Sequence, residues 1–121
     1  MKVAFVIDDA LDKPDGVQAY VRSLALYLGQ AGHEVHVLCS GEAGQPPTGV
    51  KAVHSLTRNV GVRFNGNSLR TPLPASRARI RRLLEAERFD VIHVMSPHSP
   101  VFAARVVEEA RALQARTVRI V

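Results

Sequence analysis

Apolar residues follow two distinct spacings along the first forty residues of the chain. Residues 3–7 (VAFVI) are apolar at every position, which predicts a strand buried on both faces of a parallel sheet. Residues 34–38 (EVHVL) predict a second strand. Between them, helical spacing followed by Gly29 and Gly32 predicts a helix and its end, giving a βαβ unit. The apolar positions of this helix are Val17, Tyr20, Val21, Leu24 and Leu28.

The middle of the chain is less regular. Residues 41–49 contain two consecutive prolines and three glycines, which predict a loop, and residues 50–55 predict a short third strand. Residues 58–74 are rich in Asn, Gly and Pro and predict a long loop, with a hairpin turn at Asn65-Gly66. A loop of this length inside a compact domain is usually functional or mobile.

Regular spacing returns at Ser76, a predicted N-cap for a helix whose apolar stripe is Ile80, Leu83 and Leu84. Residues 89–94 predict a strand, residues 99–113 a helix and residues 117–121 a further strand. Strands that alternate with helices predict an α/β fold with a doubly wound parallel sheet. Because the sequence ends inside a predicted strand, we expect these 121 residues to be an incomplete domain of a longer protein.

Composition narrows the class of protein. Hydrophobic content of 46% and charged content of 22% are typical of a globular domain, and the single Cys39 cannot form an internal disulfide. No run approaches the roughly 20 apolar residues of a membrane span, and no targeting signal is visible, so we expect a cytoplasmic location. The net charge of +5 comes mainly from arginine, which suits phosphate or carboxylate partners. Aromatic content of 5% and the lack of an RNA-binding motif argue against a nucleic-acid partner.

The turn at Asp15-Gly16 is the first candidate for ligand contact, because ligands of open parallel sheets bind beyond the carboxyl ends of the strands. Gly16 would let a ligand approach the backbone, or would serve only the bend. Neither the dinucleotide motif G-x-G-x-x-G nor the phosphate-binding motif G-x-x-x-x-G-K-[ST] is present. Asp8 and Asp9 are typical of the magnesium pair in receiver domains, but residues 53–55 (VHS) lack the phosphate-accepting aspartate of that class.

The histidines and arginines leave alternatives open. His93 on a buried strand is expected to be a core residue, whereas His98 follows that strand in a loop and is the better ligand candidate. The remaining histidines show no metal-binding spacing, so no metal site is predicted. A helix with four arginines beside its apolar stripe suits an anionic membrane, or a solvated face with its stripe turned to the core. These arginines are Arg77, Arg79, Arg81 and Arg82.

Three stretches together resemble the family-four retaining glycosyltransferases, and in particular the phosphatidylinositol mannosyltransferases. They are PDGVQ at residues 14–18, AGHEV at 31–35 and FDVIHV at 89–94. The resemblance covers nearly the whole chain and implies the N-terminal, acceptor-binding, Rossmann-like domain of a two-domain enzyme, spanning residues 1–121. Asp15 departs from the family, which usually has a glycine pair at this turn.

The resemblance also implies roles for individual residues. Asp15 and Gly16 would face the donor, and the arginine helix would dock on an anionic membrane. The acceptor would be bound by Asp9, Asp12, Gln18, Asn65, Arg70 and His98. No catalytic residue is expected in this chain, because the cationic groups that stabilise the departing diphosphate belong to the absent C-terminal domain.

The implied partners are a UDP- or GDP-sugar donor, a polar or lipid-linked acceptor, the C-terminal domain and the inner face of a membrane. No cofactor is expected. The family transfers a hexose to a hydroxyl group, and the isolated chain is expected to be inactive. Two other interpretations stay open: a stand-alone binding module for an anion, a lipid or a protein, and an epimerase of similar architecture.

Overall fold

The computed structural model describes residues 1–9, 11, 16–64, 67–72, 74–95, 102–113 and 119–120, with residues 59–64, 67–72 and 119–120 described by their backbone. Three helices and seven strands lie in this part of the chain. In chain order they are β1 (Lys2–Val6), α1 (Gly16–Gln30), β2 (Glu34–Ser40), β3 (Ala52–Thr57), β4 (Asn59–Phe64), β5 (Asn67–Pro72), α2 (Arg77–Glu87), β6 (Val91–Val94), α3 (Ala103–Leu113) and β7 (Arg119–Ile120).

The main sheet has five parallel strands in the order β3-β2-β1-β6-β7, which confirms the predicted parallel α/β fold. β1 lies at the centre, with Val3 opposite Val35 of β2 and opposite Val91 of β6. Because all five strands run the same way, they finish together at what we call the carboxyl end of the sheet. They begin together at the opposite, amino end.

The two faces of the sheet carry separate apolar cores. Val3, Phe5 and Ile7 pack with Val21 and Ala25 of α1, whereas Ala4 and Val6 pack on the other face with side chains of α2 and α3. Successive side chains of a strand point to opposite faces, so β1 must be apolar throughout. Helices on both faces of the sheet confirm the doubly wound arrangement.

Helix α1 approaches the sheet through small residues. The predicted stripe is only partly correct, because Val17 and Tyr20 are exposed while Gln18 and Ala25 are buried. Near the end of the helix, a Cβ built on Gly29 would lie 2.9 Å from the Cα of Gly49, so the two backbones are in direct contact. This contact fixes the end of α1 against the segment that enters β3.

Helix α2 confirms the predicted N-cap. The hydroxyl of Ser76 accepts a hydrogen bond from the backbone N–H of Arg79, at 3.4 Å. The helix ends at Arg88, which adopts a left-handed conformation with φ of 53° and donates its N–H to the carbonyl of Leu84. Glycine is the usual residue in this conformation, because a Cβ crowds the backbone there.

The prediction of a long loop over residues 58–74 is wrong, because most of this segment forms two strands. The prediction of a hairpin within it is confirmed. β4 and β5 are six-residue antiparallel strands that pair from Asn59 opposite Pro72 to Phe64 opposite Asn67. Apolar residues occupy every second position of β4, as strands require, at Val60, Val62 and Phe64. The surrounding Asn, Gly and Pro residues hid this alternation. Residues 65–66, at the expected turn, lie outside the described residues.

Candidate functional site at the carboxyl end of the sheet

The connection from β1 to α1 carries the first group of predicted site residues. Asp8 and Asp9 follow β1 and are partly buried, and α1 begins at Gly16. Arg22 of α1 donates a hydrogen bond of 2.6 Å to the carbonyl of Leu11, whose side chain is buried in the core. This bond ties the start of the helix to the segment that leaves β1. Asp12 and Asp15 lie outside the described residues.

Gly16 has open space where a side chain would be. A Cβ built on it meets no heavy atom within 4 Å, so packing within the described part of the chain does not demand glycine here. The first turn of α1 contains no acidic residue. Its backbone N–H groups lie at the positive end of the helix dipole, an arrangement that favours an anion. Gly16 therefore suits a ligand that approaches the backbone closely.

Two buried polar side chains lie near the same end of the sheet. Gln18, in the first turn of α1, is only 4% exposed. Ser40 is the last residue of β2, and its hydroxyl is buried with no hydrogen-bond partner among the residues that the structure describes. Buried polar groups generally have partners, so a hydroxyl of this kind is a candidate for contact with a ligand.

The other predicted acceptor residues lie further along the chain. Arg70 is on β5, where its backbone is opposite Gly61 of β4; this hairpin begins two residues after β3 ends at the carboxyl end of the sheet. Asn65 and His98 lie outside the described residues. The structure thus places Asp9 after β1, Gly16 and Gln18 in the first turn of α1, and Arg70 on a separate hairpin. His93, expected to be structural, is partly buried with its ring centroid 5.3 Å from that of Phe5.

The arginines of α2 differ in their surroundings. The guanidinium of Arg77 lies 2.7 Å from a carboxylate oxygen of Glu108, and that of Arg81 lies 3.1 Å from Glu109, both on α3. Arg79 donates a hydrogen bond to the backbone carbonyl of Ser55. Arg82 is exposed. Hydrogen bonds from Arg81 hold the pKa of Glu109 below its ordinary value, so this carboxylate stays charged beside the arginines.

Sequence reasoning missed a polar cluster at the amino end of the sheet. His36 on β2 and His54 on β3 lie within hydrogen-bonding distance of each other, and Glu87 at the end of α2 is close to both. Two histidines on consecutive strands were the available signal. The irregular segment between the strands hid their register, so the sequence could not show that they meet.

No helix in the described part of the chain is long and apolar enough to cross a membrane.

Residues 14–121 match the sequence model of glycosyltransferase family 4. Three curated relatives are named phosphatidyl-myo-inositol mannosyltransferase. The protein of Mycobacterium leprae is 32% identical over 114 residues, covering 89% of this chain and 29% of the relative. The protein of Mycolicibacterium smegmatis is 31% identical over 113 residues, which cover 91% of this chain and 28% of the relative.

The protein of Propionibacterium freudenreichii is 31% identical over 106 residues, covering 83% of this chain and 28% of the relative. The chain therefore spans less than a third of the length of these relatives. The family match includes the β1–α1 connection from residue 14 onward and every later element of the sheet. With a Rossmann-like parallel sheet and a family match over most of its length, the chain belongs to glycosyltransferase family 4.

Proposed function

We propose that this chain is the acceptor-binding domain of a retaining glycosyltransferase that transfers a hexose from a UDP- or GDP-sugar to a polar or lipid-linked hydroxyl. The observation that carries the proposal is the family match over residues 14–121, together with the open space at Gly16 beyond the end of β1. The names of the curated relatives favour mannose as the sugar and phosphatidyl-myo-inositol as the acceptor.

Each residue at the carboxyl end has a distinct proposed role. Asp15 and Gly16 face the donor, and Gly16, at the start of α1, admits its diphosphate to the backbone. Gln18 and Asp9 bind hydroxyl groups of the acceptor, and Gln18 is buried in the first turn of α1. Asp12, Asn65, Arg70 and His98 complete the acceptor site.

Catalysis rests on the C-terminal domain in this proposal. Departure of the nucleoside diphosphate builds negative charge on its oxygen, which cationic side chains stabilise. In our assignment those side chains belong to the second domain, and the first domain orients the acceptor hydroxyl. The chain of residues 1–121 by itself is therefore expected to bind acceptor without turning it over.

Membrane docking through α2 is a further part of the proposal. Arg77, Arg79, Arg81 and Arg82 would contact anionic lipid at the inner face of the membrane, each worth about 1 kcal/mol near such a surface. Arg77 and Arg81 already pair with α3 carboxylates, so lipid must compete with Glu108 and Glu109 for them. All four arginines are exposed, and we expect the largest effect on vesicle binding at Arg82, which forms no ion pair within the described part of the chain.

The direct test is turnover by the full-length protein. Purified enzyme is incubated with GDP-mannose or a UDP-hexose and vesicles containing phosphatidylinositol, and the glycolipid product is measured. The variants Asp9→Asn and Gln18→Ala should raise the KM for the acceptor about tenfold or more, while the donor KM stays near the wild-type value. Gln30→Ala, at the exposed far end of α1, is the matched control.

Two results would count against the proposal. Binding of acceptor or anionic vesicles without turnover of any nucleotide sugar would favour the stand-alone binding module. A rise in the KM for the donor rather than the acceptor in both variants would show that the roles within the site are reversed.

A further inference from the structure

The polar cluster at the amino end of the sheet has the composition of a metal site. His36, His54 and Glu87 can each offer one ligand atom, and these atoms lie within 4.8 Å of one another. Two imidazoles and a carboxylate are a common donor set for zinc and similar divalent ions. The three residues come from β2, β3 and α2, so the fold assembles them from separate parts of the chain.

His36 is held in one orientation by its neighbours. The residue is 2% exposed, and its Nε2 lies 2.7 Å from a carboxylate oxygen of Glu34. A carboxylate accepts hydrogen bonds, so Nε2 carries the proton, and in the neutral ring Nδ1 keeps its lone pair. That Nδ1 faces Nε2 of His54 at 2.9 Å. A carboxylate that fixes the far nitrogen of a histidine is the usual arrangement around metal-binding imidazoles.

Lys2 lies beside the cluster and competes with a metal ion for one of its ligands. The ammonium of Lys2 lies 2.7 Å from a carboxylate oxygen of Glu87 and 3.4 Å from one of Glu34. A divalent ion that binds Glu87 therefore has to displace this ammonium.

We propose that His36 Nδ1, His54 Nε2 and the Glu87 carboxylate bind a zinc-class divalent cation, with Glu34 as the residue that positions His36. His54 would shift its proton from Nε2 to Nδ1, so that both rings bind the ion as neutral imidazoles, and water would occupy the remaining position. This site is separate from the proposed acceptor site, since it lies at the opposite end of the strands. Its role would be to join β2, β3 and the end of α2.

The site must rearrange to receive the ion. Its ligand atoms lie within 4.8 Å of one another, so the Glu87 carboxylate must move closer to the histidines by up to about 1.5 Å. With metal–nitrogen bonds of about 2.05 Å, tetrahedral geometry separates two nitrogens by about 3.3 Å, roughly 0.4 Å more than in the hydrogen-bonded pair. The ring planes are within 3° of parallel, so the His54 ring must also turn toward the ion. His54 is partly buried and lies on β3, the outermost strand of the sheet at that side, which leaves room for this movement.

Zinc titration of the full-length protein against a chromophoric chelator tests the proposal. We expect His54→Asn and Glu87→Gln each to bind one zinc ion fewer than wild type, or to bind that ion at least about tenfold more weakly. Lys2→Met removes the competing ammonium from Glu87 and should strengthen binding. His33→Gln is the matched control, because His33 also lies at the amino end but bonds to the N-terminal amine.

Thermal unfolding gives an independent measurement. Zinc well above its dissociation constant should raise the Tm of wild type and of His33→Gln, and should leave the Tm of His54→Asn and Glu87→Gln nearly unchanged. Equal zinc binding by all variants would overturn the proposal, as would wild-type protein that does not compete with a micromolar chelator. Neither result bears on glycosyl transfer, so failure here leaves the proposed function standing.

Discussion

The two ends of the central sheet use glycine in opposite ways. At the amino end, Gly29 and Gly49 bring the end of α1 and the segment before β3 into backbone contact, with 2.9 Å between a built Cβ of Gly29 and the Cα of Gly49. At the carboxyl end, a Cβ on Gly16 would meet nothing within 4 Å. The first arrangement serves packing within the protein, whereas the second leaves space that a ligand can use.

The largest effect that this comparison predicts is on stability at Gly49. A Cβ there would lie 2.7 Å from the carbonyl oxygen of Ala25, and the residue has φ of +94°. Gly49→Ala should therefore lower the free energy of unfolding by about 2–4 kcal/mol, measured by urea denaturation. Gly32 has the same φ but open space around it, so Gly32→Ala should lose only about 1 kcal/mol. Equal losses of unfolding free energy in Gly49→Ala and Gly32→Ala would contradict a role for backbone contact at Gly49.

The opposite result is expected at Gly16. Gly16→Ala should change stability by no more than about 0.5 kcal/mol, because the added methyl group meets no protein atom. Under the proposed function, in which Gly16 faces the donor, the same methyl group in the full-length protein should lower kcat/KM about tenfold to a hundredfold. Steady-state kinetics with varied donor would measure this. Unchanged kinetics would mean that Gly16 serves only the bend.

A smaller effect is expected at Arg88, which ends α2 near the amino end of the sheet. Because Arg88 has φ of 53°, glycine should relieve its left-handed strain. Arg88→Gly should raise the free energy of unfolding by about 0.5–1 kcal/mol in denaturant titration. The control Arg82→Gly, inside the helix, should lower it by about 1 kcal/mol. A loss of stability in both variants would show that the Arg88 side chain contributes more than its backbone strain.

The smallest predicted effect is on the pH dependence of stability, through Glu109 on α3. The pKa of Glu109 is lowered in the folded protein, so its contribution is present above the ordinary pKa of about 4.5 and is lost as pH falls through the folded value. The free energy of unfolding, measured between pH 7 and pH 3, should therefore fall less steeply with acid in Glu109→Gln than in wild type. We expect a small difference, because Arg77 and Arg81 are about half exposed. Parallel profiles would contradict the assignment.

Much of the fold could be predicted because its signals are local. The continuous apolar run of β1, the helical spacing of α1 and the Ser76 cap each depend on neighbouring residues, and each is confirmed. The hairpin at Asn65-Gly66 was expected, but the length of its strands β4 and β5 was missed, because Asn, Gly and Pro among their residues are typical of loops. The buried face of α1 was predicted only in part, since burial of Gln18 depends on packing that spacing does not reveal.

The candidate site could be predicted only through family resemblance. Composition and spacing point to Gly16 but assign no substrate, and roles for Asp9, Gln18 and Arg70 remain predictions. The His36, His54 and Glu87 cluster depends on strand register and on where α2 ends. A sequence does not display these long-range relations, which is why the cluster emerged only from the structure.

The central position of β1 has a consequence for how the chain is made. One side of β1 pairs with β2, the next strand in the sequence, whereas its other side pairs with β6, which is synthesised much later. The backbone N–H of Lys2 in β1 donates a hydrogen bond to the carboxylate of Asp90, just before β6 and 88 residues along the chain. At about 5–20 residues per second, a ribosome needs roughly 4–18 s to synthesise that interval. Through those seconds the nascent β1 keeps an unpaired side, and the α2–α3 face of Ala4 and Val6 stays uncovered. Early termination of translation before β6 should therefore yield an aggregation-prone, chaperone-dependent product.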